Sequence, residues 1–255
     1  MSISFRSSCS NSSIRSSSSS TTNISFVQHF ESHGFVQHFE SHGWVLSGQI
    51  FEEEKGFSAF KENLMEYYTS RAGRELLTWK KTGGDGYRWY AEITGDIKVN
   101  STLLPKIIKA SRGLISPNLK IEKVSFLIGG SDIQAPHNDG RGGKNCKGVS
   151  VIFAIDDNTY LCIYDRSSIK DIGNGTKSIE YRKVFVPKGR AIFFNSFSCL
   201  HGGFKYENGC ISSPICVDGG RHIRIFFRFV DASTMIDSND FYLLPDVNEY
   251  IEVTN

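Results

Sequence analysis

The chain has 255 residues, 39% of them hydrophobic and 22% charged, with a formal net charge of +2 at pH 7. That length and apolar content can bury a sizeable core. The small net charge supplies no field to hold a nucleic acid or an anionic membrane, and no apolar run approaches the length of a transmembrane helix.

Residues 1–25 have a composition of their own. Twelve of the first twenty are serine, and Arg6 and Arg15 are the only charged side chains before Glu31. Such a segment cannot bury enough apolar surface to fold. It reads as a disordered tail or as an organelle transit peptide, which is rich in Ser, carries Arg and is poor in acids. The expected location is intracellular: cytoplasmic, or organellar if the tail is a transit peptide.

From Phe26 the nonapeptide FVQHFESHG occurs twice in tandem, and the segment 26–42 reads as a helical lead-in. It holds His29, His33, His38 and His42, four of the chain's seven histidines. Nine residues make about two and a half helical turns. The two copies therefore face opposite sides of one helix and cannot build a single four-histidine metal face. Gly34 and Gly43 also weaken a helix at the end of each copy. The second copy runs straight into a strand and is the true lead-in; chemistry is expected elsewhere.

Residues 43–255 are read as one domain. A strand is expected at 43–50, then a helix over 51–76 with Phe57, Phe60, Leu64 and Tyr67 on its apolar stripe. The stretch 82–96, TGGDGYRWYAEITGD, predicts a loop and strand near a cleft; its glycines lack the spacing of a phosphate loop. A short helix is expected over 101–115. From residue 119 the pattern becomes strands: 120–128, 147–156, 159–165, 179–187, 190–197, 200–206 and 221–230, with an eighth short one at QAPHNDG. Asp157-Asn158, Asn174-Gly175, Lys188-Gly189 and Gly219-Gly220 punctuate them. Many short strands after helices predict a mainly β fold, a jelly-roll core with an N-terminal helical layer. The six cysteines form no C-x-x-C pair, and without a secretory leader free thiols are expected.

Once the repeat is set aside, His137, His201 and His222 remain. In extended chain His137 and Asp139 point to the same side. His201 lies far away in sequence but in the same predicted sheet system. Two histidines and a carboxylate on one face of an octahedron leave three adjacent positions open, the ligand set of non-haem Fe(II) oxygenases. An H-x-D triplet by itself is a weak motif, and its weight here comes from the strands around it. In RHIRIFFRFV, Ile223, Ile225, Phe227 and Phe229 take one face; His222, Arg224, Phe226 and Arg228 take the other. Two arginines on a half-buried face need an anionic partner. A guanidinium fits a carboxylate through two parallel hydrogen bonds, although surface Asp or Glu could also serve.

On these residues the chain resembles the Fe(II)/2-oxoglutarate-dependent dioxygenases, of the prolyl-hydroxylase-like or phytanoyl-hydroxylase-like kind. The resemblance covers roughly residues 43–231 and rests on QAPHNDG, VFVPKGRAIFFNSFSCLHGGFKY and RHIRIFFRFV. It implies a double-stranded β-helix and catalytic iron held by His137, Asp139 and His201. It implies that Arg224 binds the distal carboxylate of 2-oxoglutarate, with Arg228 as the alternative or as the partner of the other carboxylate. Arg221 ranks last. The gap from His201 to Arg224 is longer than usual for the family, so ENGCISSPICVDGG must loop out. The implied reaction consumes O2 and 2-oxoglutarate, with ascorbate as an optional reductant. It hydroxylates a C–H bond and releases succinate and CO2. The Asp139 carboxylate disfavours halogenation, because related halogenating enzymes lack it. Two other readings use the same residues differently: a cupin-type metalloenzyme without 2-oxoglutarate, and a jelly-roll binding module. The substrate, a small molecule or a peptide, is not legible. The loops 83–90 and 140–145 are expected to contact it.

Overall fold

The computed structural model describes residues 32–70, 79–81, 89–93, 99–129, 132–140, 147–205, 223–231, 242–243 and 247–254. The Ser-rich segment, the start of the first repeat copy, most of both expected substrate loops, the 206–222 insertion, Arg221 and His222 lie outside them.

Two sheets form the body. The larger has the order β1 (Trp44–Gln49), β9 (Arg190–Asn195), β6 (Gly148–Ala154), β11 (Ile223–Asp231), β4 (Leu119–Ile128), β3 (Trp89–Glu92), β2 (Trp79–Lys81). The smaller has the order β12 (Tyr242–Leu243), β5 (His137–Asn138), β10 (His201–Gly203), β7 (Thr159–Gly173), β8 (Thr176–Val186), β13 (Val247–Glu252). Antiparallel pairs join β4 to β11, β5 to β10, β6 to β9 and β7 to β8. The first of these eight strands thus pairs with the last, the second with the seventh, and so inward. That nesting is the double-stranded β-helix.

The strand patterns explain the layers. In β6, Val149, Val151 and Phe153 join the core that faces the helices, whereas Ile152 and Ala154 face the space between the sheets. Both faces are covered, so the strand is apolar throughout, with one exception at Ser150. The helical layer comprises α1 (Ser32–His42), α2 (Glu54–Thr69) and α3 (Leu104–Ala110), the last entered through one π-helical turn at Val99–Leu103. Phe153 sits 6.2 Å from each of Phe51, Phe57 and Phe60, ring centre to ring centre. The second repeat copy forms most of α1 and buries Phe35 edge-on against Phe193.

The strand readings between 120 and 230 correspond to β4 to β11, including the short strand at the H-x-D. Four details differ. The buried stripe of α2 is Phe57, Phe60, Leu64 and Tyr68, with Tyr67 only partly buried. Steps of three, four and four stay closer to the 3.6-residue turn. The helix ends at Thr69, where the Ser70 amide closes on the Glu66 carbonyl. Strands β7 and β8 run on as a mostly exposed hairpin to the turn at Asn174-Gly175, whose residues take φ of 54° and 73°. The polar run DRSSIKDIG lacks the alternation that would have revealed it. Finally, β12 and β13 add to the two edges of the smaller sheet.

Candidate metal centre

His137 and His201 are direct cross-strand partners in the β5–β10 pair. Their rings stand 4.4 Å apart, and the Phe194 ring packs 4.3 Å from that of His201. Gly202 follows His201 for a reason of space. A Cβ there would lie 2.5 Å from the Gln134 carbonyl oxygen, so only glycine lets the strand leading to His137 pass. Asp139 follows on the turn after β5, its amide donating to the Ser196 carbonyl at 2.9 Å.

The ligand atoms of His137, Asp139 and His201 all lie within 4.8 Å of one another, and the three residues are 4%, 6% and 4% exposed. Among the described residues this is the one cluster of three metal-ligating side chains. His38 and His42 do stack in α1, 4.2 Å between ring centres, without a third such group. The Nδ1 of His137 is 2.9 Å from the Ala135 carbonyl oxygen, and that of His201 is 3.0 Å from the Cys199 carbonyl oxygen. A ring that donates from Nδ1 to a carbonyl presents an unprotonated Nε2, the usual tautomer of a metal-ligating histidine. Ser150 donates to Asp139 Oδ2 and stands 2.9 Å from Ser196 Oγ. The other oxygen, Oδ1, lies 3.5 Å from His201 Nε2.

Burial would push the Asp139 carboxyl up, but the His201 and His137 rings and the Ser150 hydroxyl outweigh it. They hold the carboxyl well below its usual range, so Asp139 is an anion. Cys199 behaves oppositely. Burial first and the Asp139 charge second push its thiol up, so it stays a neutral packing group. The donor set is thus two imidazole nitrogens and one carboxylate, enclosed and converging, which fits a divalent first-row ion and leaves coordination positions open.

The triad opens on a cavity of about 590 Å³. Arg224 and Arg228, each 6% exposed, line it from β11. The alternation read from RHIRIFFRFV holds in the structure: Ile223, Ile225, Phe227 and Phe229 enter the helix-side core, and Arg224, Phe226 and Arg228 face the cavity. Arg224 donates from Nη1 to the Tyr160 carbonyl at 3.3 Å. Arg228 Nε lies 3.0 Å from Glu122 Oε2. Neither of these two atoms makes a hydrogen bond, so their contact is one of charge. At the outer wall Lys123 pairs with Glu92 at 3.5 Å and lies over the Tyr90 ring at 4.6 Å.

Sequence reasoning did not find Ser150, Ser196 or Glu122. Ser150 did leave a trace, as a hydroxyl in the middle of the apolar run VSVIF. Glu122 left none. Simple alternation puts it on the core side with Val124, but the β4–β11 register slips between Arg228 and Phe229. Lys123 faces Arg228, Ile121 faces Phe229, and Glu122 is the extra residue of the bulge, re-aimed to the cavity side.

No family model and no curated protein sequence matches the chain. Solved structures do. A prolyl-4-hydroxylase from Pseudomonas putida superposes with a TM-score of 0.51 at 13% identity, over 79% of this chain and 98% of that one. The non-haem α-ketoglutarate-dependent carbocyclase SnoK of nogalamycin biosynthesis gives 0.53 at 14%, over 84% and 87%. HygX from Streptomyces hygroscopicus, with nickel, 2-oxoglutarate and hygromycin B bound, gives 0.51 at 12%, over 78% and 86%. These likenesses establish the jelly-roll fold.

Proposed function

We propose that this chain is an Fe(II)- and 2-oxoglutarate-dependent oxygenase that hydroxylates a C–H bond of a polar small molecule. The observation that carries the reading is the triad itself. His137, Asp139 and His201 converge in a closed site, both histidines are held by backbone carbonyls in the ligating tautomer, and buried arginines stand beside them. Of the structures that share the fold, one is named a prolyl-4-hydroxylase, one a non-haem α-ketoglutarate-dependent carbocyclase, and one holds nickel and 2-oxoglutarate.

His137 Nε2, His201 Nε2 and an Asp139 oxygen would hold the iron, which together with 2-oxoglutarate would supply the oxidation of an unactivated C–H bond. The chain's own share is binding, orientation and exclusion of water. Arg224, which lines the cavity, is the candidate for the distal carboxylate of 2-oxoglutarate, and Arg228 is engaged by Glu122. Ile152, Leu161, Phe194 and Phe226 form an apolar part of the cavity wall around these groups and keep them dry. On the outer wall each acid is matched by a base, Glu92 by Lys123 and Glu122 by Arg228. Such a wall is rich in donors and acceptors and adds little net charge. It suits a polar substrate better than an acyl chain, which would strip these groups of water without replacing their hydrogen bonds. The hygromycin B bound to HygX is a small molecule of that polar kind.

The test is anaerobic. Purified protein is titrated with Fe(II) and then with 2-oxoglutarate, followed by a succinate-release screen across small polar metabolites, peptides and lipids. Iron-dependent 2-oxoglutarate binding, lost in His137→Ala, is the expected result. Metal binding without 2-oxoglutarate binding would leave a cupin-type enzyme; neither would leave a binding module.

A further inference from the structure

The segment that carries two of the three ligands, His137 to Gly140, is gripped from two sides. On one side stands the turn after β9. Asp139 donates its amide to the Ser196 carbonyl at 2.9 Å, and Asn138 donates its side-chain amide to the Phe197 carbonyl at 2.5 Å. The amides of Phe197 and Ser198 both donate to Asn195 Oδ1 at 3.0 Å, which fixes that turn. On the other side stands Arg228. Its guanidinium lies 5.7 Å from the centre of the Phe197 ring and directly against Gly140. A Cβ at Gly140 would collide with Arg228 Nη2 and would meet the Phe197 ring at 2.8 Å. Arg228 is fixed from behind by Glu122, whose side chain is 9% exposed and reaches it only through the β4 bulge.

The geometry points to Arg228 and Glu122 as a clamp on the ligand turn. Arg228 is a positioning residue for Asp139 and His137, and Arg224 keeps the cosubstrate role proposed for it above. Gly140 is the space the clamp needs. This inference rests on the oxygenase reading for the role of Arg224, whereas its metal half stands by itself.

The experiment compares wild type with Arg228→Gln, Arg228→Lys, Glu122→Gln and Arg224→Gln. Ni(II) and Co(II) affinities are measured by calorimetry, and 2-oxoglutarate affinity is measured at saturating Ni(II). The visible absorption of the Co(II) protein reports ligand geometry. Arg228→Gln is expected to weaken metal binding by about 10-fold or more and to change the Co(II) spectrum, as loss of a group that orients ligands does. Its 2-oxoglutarate affinity at saturating Ni(II) should stay within about 2-fold of wild type. Arg228→Lys should restore part of the spectrum, and Glu122→Gln should reproduce the loss in milder form. Arg224→Gln should show the reverse split. If Arg228→Gln does not fold, Arg228→Lys and Glu122→Gln decide. Unchanged metal affinity and spectrum in the Arg228 and Glu122 variants, with 2-oxoglutarate binding weakened instead, overturns the clamp. Failure of wild type to bind 2-oxoglutarate would sink the oxygenase reading but leave the metal arm intact.

Discussion

Single atoms decide whether the triad can ligate. Each histidine has its Nδ1 committed to a carbonyl, which sets the tautomer, and Asp139 has one oxygen committed to Ser150. Ser150→Ala removes the tether from the carboxylate without touching a ligand. It is expected to weaken Ni(II) binding between about 10- and 100-fold in a calorimetric titration, with the fold retained. Asp156, at the end of β6, offers a pH readout. Burial raises its carboxyl to about 6 against the nearby charges of Lys61 and Arg224, and its Oδ2 makes no hydrogen bond. The neutral form is the one the fold favours. Its contribution is full below the ordinary value near 4 and is lost as pH rises through 6. Asp156→Asn should therefore stabilise the protein by about 1–2 kcal/mol at pH 7.5, after solvent screening of a group that is only partly buried. The gain should vanish near pH 4, as denaturant midpoints at the two pH values would show.

The elements carry the site by what they pack on. β11 presents its arginines to the cavity because its opposite face is anchored by Ile223, Ile225, Phe227 and Phe229 in the helix-side core. β6 is anchored likewise through Phe153, which α2 covers with Phe57 and Phe60. Phe153→Ala should cost about 3–5 kcal/mol in urea unfolding. It should weaken metal binding too, since Ser150 lies three residues back on the same strand. The tip of the β7–β8 hairpin, around Asn174, is exposed, so substitutions there should leave metal binding unchanged.

At the scale of the molecule, a metal and the proposed cosubstrate would bind the folded form only, because the triad joins residues 137, 139 and 201 from two parts of the chain. Ligand at about 100 times its Kd adds roughly 2.7 kcal/mol. For a chain of this size that raises Tm by roughly 5–10 °C. Ni(II) with 2-oxoglutarate should give a larger shift than Ni(II) alone, and 2-oxoglutarate without metal should give none, as a thermal melt in each condition would show.

The sequence by itself determined the fold class, because β-strand alternation and helical stripes are local patterns that burial imposes one residue at a time. It also determined the donor set. H-x-D puts two ligands on one side of any extended strand, and the arginines of RHIRIFFRFV share a face for the same reason. Only the tertiary structure decided the rest. That His201 is the cross-strand partner of His137 depends on register, which no local pattern encodes. That Glu122 leaves the core side to meet Arg228 depends on a single bulge residue in β4. That Ser150, with Ser196 behind it, holds the carboxylate depends on β6, the turn after β9 and the turn after β5 meeting at one point. Contacts of this kind join residues far apart in the chain, and there a one-residue slip reverses every side chain.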